Sequence, residues 1–164
     1  CIEDHPFLKR IGPDILSPNL TWRTVAERLQ SKAFAGRALN AVYLDQAFLA
    51  GLGNYLRSEI LFIAGINPGQ KARDLTKGQI GKLARATLDI SQRSYAMAGV
   101  TLPQRQYKAL RQQGVTYGKA RFYVFGRAGQ PCRQCDKKIR RTYANSRRIY
   151  TCPTCQLMCQ RWIW

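Results

Sequence analysis

The sequence predicts a mainly α-helical chain that ends in a small β-hairpin pinned by cysteines. Three observations carry this. Apolar residues recur at helical spacing between residues 21 and 99, two C-x2-C pairs stand sixteen residues apart near the C-terminal end, and the positive charge is concentrated around them.

The charge narrows the function. Against 27 Lys plus Arg the chain of 164 residues sets only 9 Asp plus Glu, a formal charge of +18 that excludes an ordinary neutral metabolic enzyme. Hydrophobic residues make up 45% of the chain, too many for wholesale disorder. Residues 1 to 100 carry 13 basic and 8 acidic side chains, residues 101 to 164 carry 14 basic and 1 acidic. Such a one-signed field raises the free energy of the compact state by self-repulsion and persists where a polyanion sits against it, so nucleic acid is the leading partner. A solvated basic face or an anionic membrane is the alternative, but the charges interleave with Tyr and Phe, and a membrane surface would call for an amphipathic basic helix. With no long apolar run and no signal-peptide pattern behind Cys1, the expected protein is soluble and cytoplasmic, with no membrane partner.

Residues 1–20, with Pro6, Pro13 and Pro18, predict an irregular lead-in. Trp22, Val25, Ala26 and Leu29 mark a short amphipathic helix capped by Thr21. The apolar stretch 38–65 is broken by Gly51 and Gly53, which predicts a helix through about Ala50, a tight turn, and a second helix from Asn54 through Phe62, with Asn54 as cap and Gly65 as stop. Asp74 to Gly99 reads as a further helix, with Thr76 and Gln79 as a capping box and Gly99 closing the far end. Residues 101–120 read either as a polar linker or as one more short helix over 104–112. Arg121 to Phe125 reads as a strand, and Lys138 to Tyr143 with Arg148 to Thr151 as a hairpin. The expected units are 21–100 and 121–157, followed by a tail over 158–164.

Cys132, Cys135, Cys152 and Cys155 spell C-x2-C-x16-C-x2-C. Two knuckles joined by a hairpin place four thiolates tetrahedrally, which suits one structural zinc ion and leaves no open position for catalysis. Two disulfides are the alternative, disfavoured by the spacing without a secretion signal. Cys159 and Cys1 are expected to be spare thiols.

The stretches LDQAFLAGLGNYLRSEILF, GRAGQPCRQC and SRRIYTCPTCQ, with HPFLKRIGPDILSPNL near the start, resemble the C-terminal half of the formamidopyrimidine-DNA glycosylase and endonuclease VIII family, the first of them the endonuclease VIII branch. The resemblance implies a fold class: a mainly α helix-two-turn-helix bundle plus a small β-hairpin zinc finger, with the family's N-terminal β-sandwich absent. It also implies an activity, removal of oxidised bases (oxidised pyrimidines in that branch) and strand cleavage by AP lyase chemistry. The family's nucleophile is an N-terminal proline followed by a glutamate. This chain opens Cys-Ile-Glu-Asp-His, so the expectation is a fragment without the nucleophile, inactive in base excision by itself.

By the same resemblance Asn54 contacts a phosphate beside the lesion, helped by backbone N–H groups of the turn ending at Gly53, and Arg10 touches DNA at the family's domain junction. Arg147 enters the gap left by the extruded nucleotide and takes a role in δ-elimination, the one catalytic assignment in the chain. Arg148, adjacent on the strand, is expected to matter less. The expected partner is double-stranded DNA with an oxidised base or abasic site, bound by a monomer in the bacterial nucleoid. The other readings are a stand-alone zinc-ribbon nucleic-acid-binding protein and a zinc-stabilised protein-interaction module.

Overall fold

A computed structural model describes residues 11–157, in which the helices pack first on one another and then against a two-stranded finger. Helix α1 (Trp22–Gln30) starts where Thr21 Oγ1 accepts from the Thr24 N–H at 3.2 Å and buries Val25, Ala26 and Leu29. Helix α2 is the single turn Leu39–Val42, α3 runs Asn54–Ala64, and α4 runs Lys77–Ala96 behind a 3-10 turn at Ala72–Asp74. Two further helices, α5 (Gln104–Gln112) and α6 (Tyr117–Ala120), lead to strands β1 (Arg140–Ala144) and β2 (Arg147–Thr151). Helix α4 carries the expected capping box and ends with the Gly99 N–H donating to Ser94 O at 2.7 Å, at a positive φ that glycine adopts readily.

Two apolar clusters organise the chain. The larger joins Val25, Leu29, Leu39, Phe48, Leu61 and Leu83 from the helical part and takes Ile149 from the finger. The smaller joins Phe62, Val100 and Leu102 to Tyr123, Val124, Ile139 and Tyr150. Phe62 therefore buries the outer face of α3 under the finger, its ring 5.4 Å from that of Tyr123. The antiparallel register pairs Arg140 with Thr151 and Ala144 with Arg147. Asn145 and Ser146, both at positive φ, form the two-residue turn that matches strand twist. No helix among the described residues is long and apolar enough to cross a membrane.

The fold class is as expected, with local corrections. The helix expected through Ala50 stops at Val42. Beyond it the backbone turns tightly, with Leu44, Asp45 and Phe48 bonded to carbonyls three residues back, Asp45 Oδ1 accepting from the Ala47 N–H, and Gln46 Oε1 accepting from the Gly51 N–H. Polar side chains here supply acceptors that a longer helix would have supplied from its backbone.

The cap of α3 is Gly53, not Asn54, which is the first helical residue and whose amide is committed elsewhere. Within 101–120 the short helix is the correct alternative, since Gln104–Gln112 is helical. Arg121 to Phe125 forms no strand. The N–H groups of Tyr123, Val124 and Phe125 instead donate to the carboxylate of Glu59 on α3, at 2.6, 2.8 and 3.2 Å, so a side chain takes the donors a partner strand would have taken.

Candidate nucleic-acid interface and metal centre

Each cysteine pair stands on a short turn closed by its own backbone. The Gln134 N–H donates to Cys132 Sγ, and the Cys155 N–H to Cys152 Sγ, both at 3.4 Å. The hairpin brings the turns together. Cys132 and Cys155 sulfurs lie 3.9 Å apart, Cys135 and Cys152 sulfurs 3.4 Å, and all four lie within 4.8 Å of one another. A tetrahedral tetrathiolate with metal–sulfur bonds near 2.3 Å has edges of about 3.8 Å, so the donor set fits one ion.

Burial pushes the thiols of Cys132 and Cys155 up. Cys152 is also desolvated, yet backbone N–H groups and neighbouring sulfurs draw it down. A bound dication would resolve this contest by stabilising all four thiolates.

The second assembly joins the start of α3 to β2. Asn54 Nδ2 donates to Arg148 O at 2.9 Å, while Asn54 Oδ1 accepts from Arg57 Nη2 at 2.7 Å. Arg57 is fully buried, and its guanidinium also donates to Asn40 O at 3.0 Å and to Arg148 O at 3.4 Å. Burial, with the nearby charge of Arg147 adding to it, lowers the Arg57 guanidinium to about 10, so it remains a cation at neutral pH. Arg147 is exposed at the start of β2, beside this corner. Gly53 caps α3 without a side-chain cap, and the space a Cβ would occupy there is open.

Of the residues expected from sequence, Asn54, Gly53 and Arg147 thus meet at one corner and the four cysteines at one point, whereas Arg10 lies outside the described residues, as do Cys1 and Cys159. Arg57 and Glu59 were missed. Their signal was present, as two charges flanking Ser58 inside the mostly apolar run YLRSEILF, but helical periodicity alone did not say what they face.

Glu59 is fully buried and accepts from Thr101 Oγ1 in addition to the three N–H groups, so it tethers α3 to the segment entering the finger. Burial pushes its carboxyl up, and those hydrogen bonds oppose the shift.

Part of the basic excess also serves the fold, through half-buried arginines. Arg127 clamps Tyr123 O and Pro131 O, Arg133 clamps Phe122 O and Lys119 O, and Arg121 donates to Gly99 O while lying over the Phe122 ring at 4.2 Å. The cations left exposed in the finger are chiefly Lys137, Lys138, Arg140, Arg141, Arg147 and Arg148.

Residues 11–106 match the family model of the formamidopyrimidine-DNA glycosylase H2TH domain. The chain belongs to that family. Among curated relatives, endonuclease 8 of Shigella sonnei strain Ss046 is 48% identical over 152 residues, which are 93% of this chain and 54% of the relative. Endonuclease 8 of Escherichia coli strain K12 / DH10B is 47% identical over the same length and shares. The chain therefore spans about half the length of the curated relatives it matches.

The fold is shared with the Fpg (MutM) protein of Thermus thermophilus, at a TM-score of 0.73 and 32% identity over 92% of this chain and 55% of that one. It is equally similar, at a TM-score of 0.73 and 25% identity over 93% of this chain and 53% of that one, to Lactococcus lactis Fpg solved with DNA containing Fapy-dG. The mainly helical body followed by a finger is thus an architecture this chain has in common with them.

Proposed function

We propose that this chain is the damaged-DNA-binding portion of a bifunctional DNA glycosylase and AP lyase of base excision repair, acting on oxidised pyrimidines. It would bind as a monomer to the DNA of a bacterial cytoplasm. Its units are an H2TH domain over 21–100, a connecting segment over 101–120 and a zinc finger over 121–157.

The observation that supports this reading best is the corner where Asn54, Arg148 O and Arg147 meet. An amide donor at a helix start, a fixed guanidinium and an exposed one converge there, which suits two successive phosphates of a kinked strand. Arg147 is five residues from Cys152, so the metal centre would hold it rigid while it compensates for an extruded nucleotide. In the whole enzyme it would also serve δ-elimination.

The donor set favours zinc, since four thiolates in tetrahedral array suit an ion with no geometric preference and no redox chemistry. Zinc would supply folding free energy to the finger and take no part in a reaction. Arg127, bonded to Pro131 O next to Cys132, would offset part of the charge on the thiolate site.

Binding to duplex DNA with an abasic analogue, to the intact duplex and to RNA, each across a salt series, tests the reading. The expected order places the abasic duplex first, with all affinities falling as salt rises. Equal affinity for the three would overturn it in favour of a stand-alone zinc-ribbon nucleic-acid-binding protein.

A further inference from the structure

Arg57 is a buried charge with no counter-ion among the described residues. Among the described residues the one ion pair joins Arg37 to Asp45 and does not involve it. Among the described residues the acceptors of Arg57 are all neutral oxygens, those of Asn40, Asn54 and Arg148, and its buried Nε has no partner. Glu59, two residues along α3, projects from a different side of the helix, and both its oxygens are taken by Thr101 and the Tyr123 to Phe125 backbone. Burying a cation among carbonyls carries a desolvation cost that those dipoles return only in part. A neutral side chain of similar length would fill the same space without that cost.

The bonding around Asn54 is directional. A guanidinium can only donate, and a carbonyl oxygen can only accept. Flanked by Arg57 on one side and Arg148 O on the other, the amide has one satisfied orientation, with Oδ1 toward Arg57 and Nδ2 toward the finger. One of the two Nδ2 hydrogens serves Arg148 O, and the other has no partner among the described residues.

We infer that Arg57 is the positioning residue of the phosphate site: it locks the Asn54 amide donor-outward and places a buried positive charge behind it. This rests on the proposed function, because the anion is taken to be a DNA phosphate. Two cations at the corner then divide the work. Arg147, exposed at the hairpin, reaches the bound strand, while Arg57 never touches it and acts through Asn54.

The test is a double-mutant cycle on the metal-loaded chain, with Asn54→Ala, Arg57→Met and their combination, read as Kd for a duplex carrying an abasic analogue. Each single variant is expected to weaken binding about tenfold and the double variant by no more than about twentyfold, because both remove one coupled unit. Arg57→Lys, which can still donate to Oδ1, is expected to recover most of the loss. A hundredfold loss in the double variant, or parental affinity in Arg57→Met, would overturn the inference.

Should Arg57→Met fail to fold, Arg57→Leu, which likewise cannot donate to Asn54 Oδ1, replaces it. The parent protein provides an independent readout, since the Asn54 side-chain NH2 and Arg57 Nε–H resonances should shift together on adding the duplex. Movement of neither would count against the assignment. A parent that binds abasic duplex, intact duplex and RNA alike would instead refute the proposed function, whatever the cycle shows.

Discussion

The side-chain amide of Asn54 donates to the main-chain carbonyl of Arg148 at 2.9 Å, across 94 residues of sequence. The bond ties the first residue of α3 to the second residue of β2, so the helical body and the finger meet where the phosphate site is proposed. Tyr150 N–H donating to Ser58 Oγ at 3.3 Å continues the seam one helical turn further on.

Asn54→Ala removes both this seam bond and the proposed phosphate donor. Duplex binding should weaken by about 1–3 kcal/mol, the range for a hydrogen bond to a charged group or a buried donor left unmade. Fluorescence anisotropy with labelled intact and abasic duplexes measures it, and the loss should be similar for both.

Arg147→Ala should act differently. Exposed at the hairpin, the Arg147 side chain makes no hydrogen bond among the described residues, and the ladder pairing with Ala144 is main-chain, so the thermal midpoint should hold. Preference for abasic over intact duplex should fall by about tenfold, as expected when a charge-assisted contact confined to the damaged site is lost. Arg148→Ala should change that preference less, because the backbone carbonyl that receives Asn54 survives the substitution.

Metal removal should separate the two clusters. The larger one draws almost wholly on residues 15–90 and takes from the finger only Ile149, with Ala144 packed at its edge, so a chelator should leave the far-UV helical signal largely in place. Amide exchange in residues 121–157 should become fast at the same time, because a finger this short cannot fold on its apolar content. Loss of both in one transition would contradict this, and metal analysis should return one zinc per chain.

Glu59→Gln places an NH2 group against backbone N–H donors. The chain should lose about 1–3 kcal/mol of stability through the donors left unmatched. Urea unfolding of the metal-loaded protein measures the loss, and hydrogen exchange should localise it to Tyr123, Val124 and Phe125.

Asp45 provides a pH test. The hydrogen bond from Arg37, with further help from the Ala47 N–H against some desolvation, holds its carboxyl below the ordinary value of 3.8. A depressed acid contributes stability that is complete above the unfolded value and is lost as pH falls through the folded one. Asp45→Asn keeps an acceptor for Ala47 and deletes the charge. It should cost less than about 1 kcal/mol at pH 7, since the pair is partly exposed and screened, and the difference from the parent should vanish once the pH has fallen below the folded-state value.

Local features were readable in advance. Thr21, Thr76 with Gln79, and Gly65 act as the helix boundaries their chemistry suggests, because a cap is satisfied within three or four residues of chain. The cysteine spacing indicated one metal-binding point for a similar reason, since each pair needs only its own turn. Asn54 misled on a local reading: asparagine before an apolar run is a good cap, yet here the amide is drawn away by Arg57 and by a carbonyl far along the chain.

Composition, spacing and capping chemistry therefore determined by themselves that the chain is helical, basic and built to hold one metal ion. Tertiary structure alone decided that the segment 121–125 would bond to a glutamate rather than a strand, that several arginines would clamp carbonyls inside the fold, and that Arg57 would stand buried behind Asn54. The physical reason is that buried donors and acceptors must find partners wherever the packed chain brings them, and for these groups the partners lie outside any local window of sequence.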